Sequence, residues 1–319
     1  MHFHSVHFAS PTPGTRLIVL GAVHGNEICG TIGIGRIISE FQNGSLQLQQ
    51  GSVTFVPITN PLAYEKKQRM GDRNLNRNLY PRPDPQDFED RIANWLCPIL
   101  AAHDVLLDLH SFHTGGVPFA LVGPLNNADR LEPFRFAREE EQLARCLGVN
   151  RFVDGWLDTY AKGVRNRAAR AAQGDSSIDA ISADVKYGVG TTEYIRENGG
   201  YAVTLECGQH EDPKAPEVAY NAIRNTLVHL GLVAGDAPAY VKGAEALSLC
   251  EVIDRAHPDD TFTREWRSFD PLKEGEIVGH RADGTPVPAP FDGLIVFPNP
   301  NAKPGQEWFY MAKRTSRFD

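Results

Sequence analysis

Through the first 230 residues of the chain, short apolar runs alternate with stretches whose apolar positions recur at helical spacing. Residues 16–20 (RLIVL), 53–58 (VTFVPI), 105–109 (VLLDL), 118–122 and 201–206 (YAVTLE) read as buried strands. Residues 27–41, 88–102, 138–147 and 217–230 read as helices. The second of these helices puts Ile92, Trp95, Leu96 and Ile99 on one face, and the last turns Ala222, Leu227 and Leu230 inward. Alternating strands and helices predict an α/β fold with a largely parallel sheet covered on both faces. Residues 158–190 break the rhythm. They are polar, rich in Ala, Gly and Ser, and weakly periodic, and read as a surface excursion with room for one helix. After Leu232 the run AGDAPAY reads as a linker, and turn pairs such as Asp283-Gly284 and Asp292-Gly293 then separate short strand-like runs. A small all-β domain is expected there, dividing the chain into 1–238 and 239–319.

Composition narrows the class. The chain has 319 residues, 41% hydrophobic and 23% charged, which suits a globular protein and argues against disorder. Lys plus Arg number 32 against 40 Asp plus Glu, a net charge of −8, so neither a nucleic acid nor an anionic membrane is an expected partner. The five cysteines, Cys29, Cys97, Cys146, Cys207 and Cys250, are scattered with no C-x-x-C pair. That disfavours a disulfide framework and a zinc knuckle, and suits a reducing compartment. The start, MHFHSVHFASPTPG, lacks the basic and apolar regions of a signal peptide, and no apolar run approaches a membrane span. A cytoplasmic protein is the expectation, with homo-oligomerisation left open.

Candidate chemistry gathers behind the apolar runs. Common nucleotide-binding and nucleophile motifs, and H-E-x-x-H, are absent. In GAVHGNE, His24 and Glu27 follow the RLIVL strand. Ligands of open α/β sheets bind beyond the carboxyl ends of strands, and two His with one Glu is a zinc donor set that leaves a position for water. Taken alone, the pair is equally a helix cap, and the similar His257/Asp260 and His280/Asp283 read as solvated turns. In DLHSFH, His110 ends another strand as His24 does and makes the better third ligand. His113, further into the loop, is its rival. Asp108 shares a strand face with His110 and either orients its ring or stands idle at the sheet edge. In TLECGQH, Glu206 ends a further strand and is either an ion-pair member or a general base. Residues 69–80 (RMGDRNLNRNLY) are either a polar loop or a carboxylate grip, since guanidinium binds carboxylate through paired hydrogen bonds.

Together HGNE, RMGDRNLNRN, DLH and LECG resemble the succinylglutamate desuccinylase/aspartoacylase family, which is similar in fold to the zinc carboxypeptidases. The resemblance runs over nearly the whole chain, in the family's motif order. It implies a carboxypeptidase-like mixed, largely parallel sheet with a small C-terminal β domain capping the site. It also implies one Zn2+ per chain on His24, Glu27 and His110, with Glu206 as general base. Arg69 would polarise the scissile carbonyl, Asn76 and Arg77 would bind a substrate carboxylate, and Arg196 a second one. Tyr310 of FYMAKR would reach the site, although a one-residue shift puts Phe309 there. The loop after DLH and the 158–190 excursion depart from the family pattern, so the specific substrate does not carry over.

The implied activity is removal of the acyl group from an N-acyl amino acid, an acidic one by the Arg196 argument, through a zinc-activated water. A carboxypeptidase-like peptidase is the neighbouring alternative, disfavoured by the β domain. A metal-binding protein without turnover is the third.

Overall fold

The computed structural model describes residues 2–172 and 184–318. In chain order the elements begin with β1 (Val6–Ala9), β2 (Arg16–Leu20), α1 (Cys29–Gln42), β3 (Ser52–Val56), α2 (Pro61–Lys66), α3 (Phe88–Ala101), β4 (Val105–Phe112) and β5 (Phe119–Leu121). There follow α4 (Ala137–Cys146), β6 (Arg151–Asp154), α5 (Trp156–Ala172), α6 (Thr191–Glu197), β7 (Tyr201–Gln209) and α7 (Ala215–His229). The C-terminal strands are β8 (Glu245–Asp254), β9 (Thr261–Phe262), β10 (Pro271–Leu272), β11 (Ile277–His280), β12 (Pro286–Pro288), β13 (Gly293–Val296) and β14 (Glu307–Thr315).

The chain groups into two units. The first holds residues up to 112 together with 118–152 and 189–244; the second holds 113–117, the described residues of 153–188, and 245 onward. In the first unit the strands run β1-β3-β2-β4-β7-β5. β3, β2, β4 and β7 are mutually parallel, and β1 and β5 add antiparallel partners on β3 and β7. Strands covered on both faces need no alternation, which is why RLIVL and VLLDL are continuous apolar runs. Leu17 through Leu20 and Val105 through Leu107 are fully buried.

Two strands run further than their apolar segments. β4 continues through His110 to Phe112, and β7 continues through Glu206 to Gln209. His110 and Glu206 are therefore paired neighbours within the ladder, the register becoming irregular only after them. The turn after β2 is held tightly. Ala22 has φ +48, and the carbonyls of Gly21 and Ala22 accept the amides of Thr59 and Asn60. A Cβ on Gly25 would lie 2.0 Å from the carbonyl carbon of Ala63, so α2 presses directly on this turn. α2 itself carries a start signal, an Asn60 side chain accepting from Ala63 N at 3.1 Å with Pro61 behind it.

In the second unit β8, β14, β13 and β10 form one antiparallel succession, and β12-β11-β9 a separate three-stranded sheet. Its core includes Trp266, Val278, Ile295, Trp308, Phe309 and Met311. Residues 156–172, expected within a surface excursion, form the long helix α5. Its inward positions are Leu157, Tyr160, Ala161 and Val164, a short apolar stripe at helical spacing, together with Thr159, Gly163 and Arg167. Thr159 Oγ1 donates to the Leu249 carbonyl of β8 at 2.9 Å, and Arg167 pairs with Asp254 at 2.7 Å. Part of the excursion, residues 173–183, lies outside the described residues. Asp260, expected in a solvated turn, is buried instead, because its carboxylate accepts the amides of Ala256, His257 and Ala282 and the Arg281 guanidinium. Among the described residues, no helix is long and apolar enough to cross a membrane.

Candidate active site

His24, Glu27 and His110 converge at the carboxyl ends of β2 and β4, all three buried. One ring nitrogen from each imidazole and a Glu27 oxygen lie within 4.8 Å of one another. His24 Nδ1 is 2.9 Å from Glu27 Oε1, and His110 Nδ1 is 2.9 Å from Glu27 Oε2. The rings meet at 67° with centroids 5.0 Å apart. Glu27 also accepts the Ser111 amide at 3.1 Å and the Arg69 guanidinium at 2.8 Å. His113 is exposed and takes no part in the group, which uses His110.

The outer edge of each ring faces an acceptor. Asn74 Oδ1 lies 3.1 Å from His24 Nε2, and Asp108 Oδ2 lies 3.0 Å from His110 Nε2. Such outer contacts fix the ring orientation of metal-binding histidines. Among the described residues, the buried atoms with no in-line hydrogen-bond partner include His24 Nδ1, His110 Nε2 and Glu206 Oε2. His110 Nε2 already faces Asp108, but His24 Nδ1 and Glu206 Oε2 are unmet buried polar atoms, each costing about 1–3 kcal/mol, and so suit a further partner. Two imidazoles and a carboxylate are the donor set of a catalytic zinc site, so these residues fit that ion.

The electrostatics follow from burial and proximity. Burial pushes His24 down to about 4, and the Arg69 charge adds to that. Burial alone would raise Glu27, but the His24 and His110 charges and hydrogen bonds outweigh it and hold the carboxyl well below its ordinary range. Burial would likewise lower His110, but Asp108 and Glu27 hold it well above its ordinary value. Glu206 is pushed up to about 8, chiefly by burial.

Residues 69–80 divide by role. Arg73 is consumed internally, pairing with Asp87 at 2.8 Å and Asp90 at 2.7 Å and donating to the Arg77 carbonyl. Asn76 Oδ1 accepts the Thr191 amide at 2.9 Å, which leaves its Nδ2 as the donor end. Arg77 is buried, with Nη1 donating to the Asn76 carbonyl at 2.7 Å.

Arg196, expected to bind a substrate carboxylate, is engaged within the protein. Its guanidinium is buried and makes four hydrogen bonds: two to Glu140, one to Glu132 and one to the Ala202 carbonyl. Glu193 lies 3.6 Å away. The helix partner at i−3 is visible in the sequence, but Glu132 and Glu140 come from the distant segment around α4. Tyr310 belongs to the second unit, where its ring packs 5.5 Å from Trp156, while the neighbouring Phe309 sits in the β core.

Sequence reasoning passed over Asn74, Thr191 and His210. Ser111 Oγ and His210 Nδ1 are 2.8 Å apart, and His210 is lowered by burial. Its place four residues after Glu206 in TLECGQH was the available signal.

Residues 13–146 match the succinylglutamate desuccinylase/aspartoacylase catalytic domain. That stretch holds His24, Glu27, Arg69, Asn76, Arg77 and His110, and stops short of Glu206. The chain is 25% identical over 283 residues to the N-alpha-acetyl-L-2,4-diaminobutyric acid deacetylase of Halomonas elongata, covering 85% of this chain and 72% of that one. Among solved structures, the product-bound ectoine utilization protein EutE of Ruegeria pomeroyi aligns with a TM-score of 0.71 at 18% identity, over 97% of this chain and 88% of its own. The succinylglutamate desuccinylase of Vibrio cholerae aligns with a TM-score of 0.71 at 19% identity, over 99% and 87%. These structural likenesses establish a shared fold.

Proposed function

From the match of residues 13–146 to the succinylglutamate desuccinylase/aspartoacylase catalytic domain, we propose that the chain is a zinc-dependent amidohydrolase of that family that removes the acyl group from an N-acyl amino acid. The observation that carries the reading is the convergence of His24, Glu27 and His110, with Arg69 on the same carboxylate and Glu206 on the adjoining strand. His24, Glu27 and His110 would hold the ion. When bound, zinc would supply Lewis-acid polarisation of a carbonyl and acidify water, and its charge would oppose the burial that raises Glu206.

The remaining chemistry belongs to the chain. Glu206 takes a proton from the attacking water and delivers it to the leaving nitrogen, giving a carboxylic acid and a free amino acid. Its unmet Oε2 suits that exchange. Arg69 stabilises negative charge as it develops on the carbonyl oxygen, an effect worth about 3–4 kcal/mol for an oxyanion donor. Asn76, through Nδ2, and Arg77 hold the amino acid's own carboxylate. An acidic side chain on the substrate loses its argument, because Arg196 is committed to glutamates. The Halomonas relative's name specifies a diaminobutyric acid substrate, which points the same way.

Turnover of N-acetyl amino acids with acidic, neutral and cationic side chains, beside short peptides, tests the reading with and without chelator. Chelator-sensitive release of acetate is the expected result. Peptide cleavage alone would favour the carboxypeptidase-like alternative, and zinc uptake with no turnover the metal-binding one.

A further inference from the structure

The two imidazoles come from different strands, yet their outer supports meet at one residue. Thr191 opens α6 and is fully buried. Its hydroxyl donates to Asp108 Oδ2 at 2.5 Å, the same oxygen that lies 3.0 Å from His110 Nε2. Its amide donates to Asn76 Oδ1 at 2.9 Å. The Asn76 amide in turn donates to Asn74 Oδ1 at 3.0 Å, and that oxygen lies 3.1 Å from His24 Nε2.

We infer that Thr191 is a positioning residue that sets the orientation of both metal-binding imidazoles, through Asp108 to His110 and through Asn76 and Asn74 to His24. The inference rests on the metal reading above and extends it to a residue that touches neither metal nor substrate.

Three physical points support it. Asp108 is fully buried, so its carboxylate has few ways to be held, and the Thr191 hydroxyl is its shortest contact. A charged acceptor makes that bond stronger than a neutral one. Second, the Thr191 amide fixes which end of Asn76 is the acceptor, and so presents the Nδ2 donor proposed for substrate. Third, the path has no slack beside it. A Cβ on Gly190 would lie 2.0 Å from Asn76 Oδ1, so the backbone preceding Thr191 closes directly on that amide.

The test compares Thr191→Val, Thr191→Ser and Thr191→Ala in the full chain. Val keeps the shape and the amide but removes the hydroxyl; Ser restores it. Thr226→Val is the packing control, since Thr226 is also fully buried and its hydroxyl has no partner among the described residues. Zinc affinity is measured by competition with a chromophoric chelator, and ligand geometry by the visible spectrum of the cobalt-substituted protein. Loss of an outer support typically weakens metal binding about 10- to 100-fold, which is the shift expected for Thr191→Val, with an altered cobalt spectrum. Thr191→Ser should return both toward wild type, and Thr226→Val should leave both unchanged. If Thr191→Val does not fold, the Ser and Ala variants pose the same question. Wild-type affinity in Thr191→Val, or equal losses in the Ser and hydroxyl-free variants, would overturn the inference while leaving the metal reading intact. A wild-type chain that takes up no zinc would instead bring down the metal reading, and the inference with it.

Discussion

The first unit buries charge in two places. Around Glu27, two imidazoles, a guanidinium and a nearby Glu206 crowd together while ring nitrogens and a carboxylate oxygen go without in-line partners. Around Arg196, three glutamates surround one guanidinium that makes four hydrogen bonds, and Glu140 also accepts the amides of Gly123 and Ala202. His24, Glu27, His110 and Glu206 are as buried as Arg196, Glu132, Glu140 and Glu193, so burial does not separate the two groups. Completeness does. A cluster that answers its own hydrogen-bonding needs holds segments together, whereas one left incomplete is arranged for something that arrives later.

That contrast can be broken by experiment. The largest effect should come from removing metal. Chelated protein is expected to lose N-acyl amino acid hydrolysis and regain it with zinc, and full activity after metal analysis shows none would end the distinction. Next, Glu206→Gln should keep zinc and lose turnover by about 10²- to 10⁴-fold, since the amide cannot accept a proton. Near-normal kcat in the metal-replete variant would make Glu206 structural, like Glu140. The complementary variant, Arg196→Met, should behave in the opposite way. Stranding three buried carboxylates is expected to cost about 3–5 kcal/mol in denaturant unfolding, with kcat/KM of the folded protein close to wild type. Unchanged stability with selective loss of acidic substrates would restore Arg196 to the substrate site.

The smallest effect is in the pH dependence of stability. Burial raises Glu132 to about 7, against the Arg196 charge and with Glu193 and Glu140 adding to the rise. A carboxyl that holds its proton more tightly when folded contributes stability that is present below its unfolded pKa of 4.5 and lost as pH rises through about 7. Unfolding free energy should therefore decline across that window, and Glu132→Gln should flatten the decline. A slope unchanged in the variant would assign it to another group.

Legibility in the sequence tracks how local each signal is. RLIVL, VLLDL and YAVTLE announce buried parallel strands, and His24, Glu27, His110 and Glu206 stand out because ionisable residues directly follow or end them. The surroundings of Arg196 are not legible because only Glu193 lies within a helical turn of it; the partners that dominate are 56 and 64 residues away. In α5 the apolar stripe is short, Leu157, Tyr160, Ala161 and Val164, and Thr159, Gly163 and a paired Arg167 share its buried face, which blurs the pattern in the sequence. Asn74 and Thr191 are uncharged and common in turns, so nothing in one sequence distinguishes the members of the ring supports from solvated loop residues. Asn60-Pro61, by contrast, is a helix start legible in the sequence.

The pairing of His110 with Glu206 on adjoining rungs of β4 and β7 has a bearing on how this chain could diversify. Parallel strands keep a spacing of about 4.8 Å whatever side chains they carry. The interval between the proposed ligand and the proposed base is thus a property of the backbone, set before any loop is chosen. Segments following these strands can lengthen, shorten or be exchanged to suit a different acyl group while that interval stays constant. A one-residue slip of β7 would be another matter, since it would turn Glu206 to the opposite face and abolish the site in one step. Variation is cheap in the loops and forbidden in the register, and an engineer seeking a new acyl specificity would graft the former and leave the latter alone.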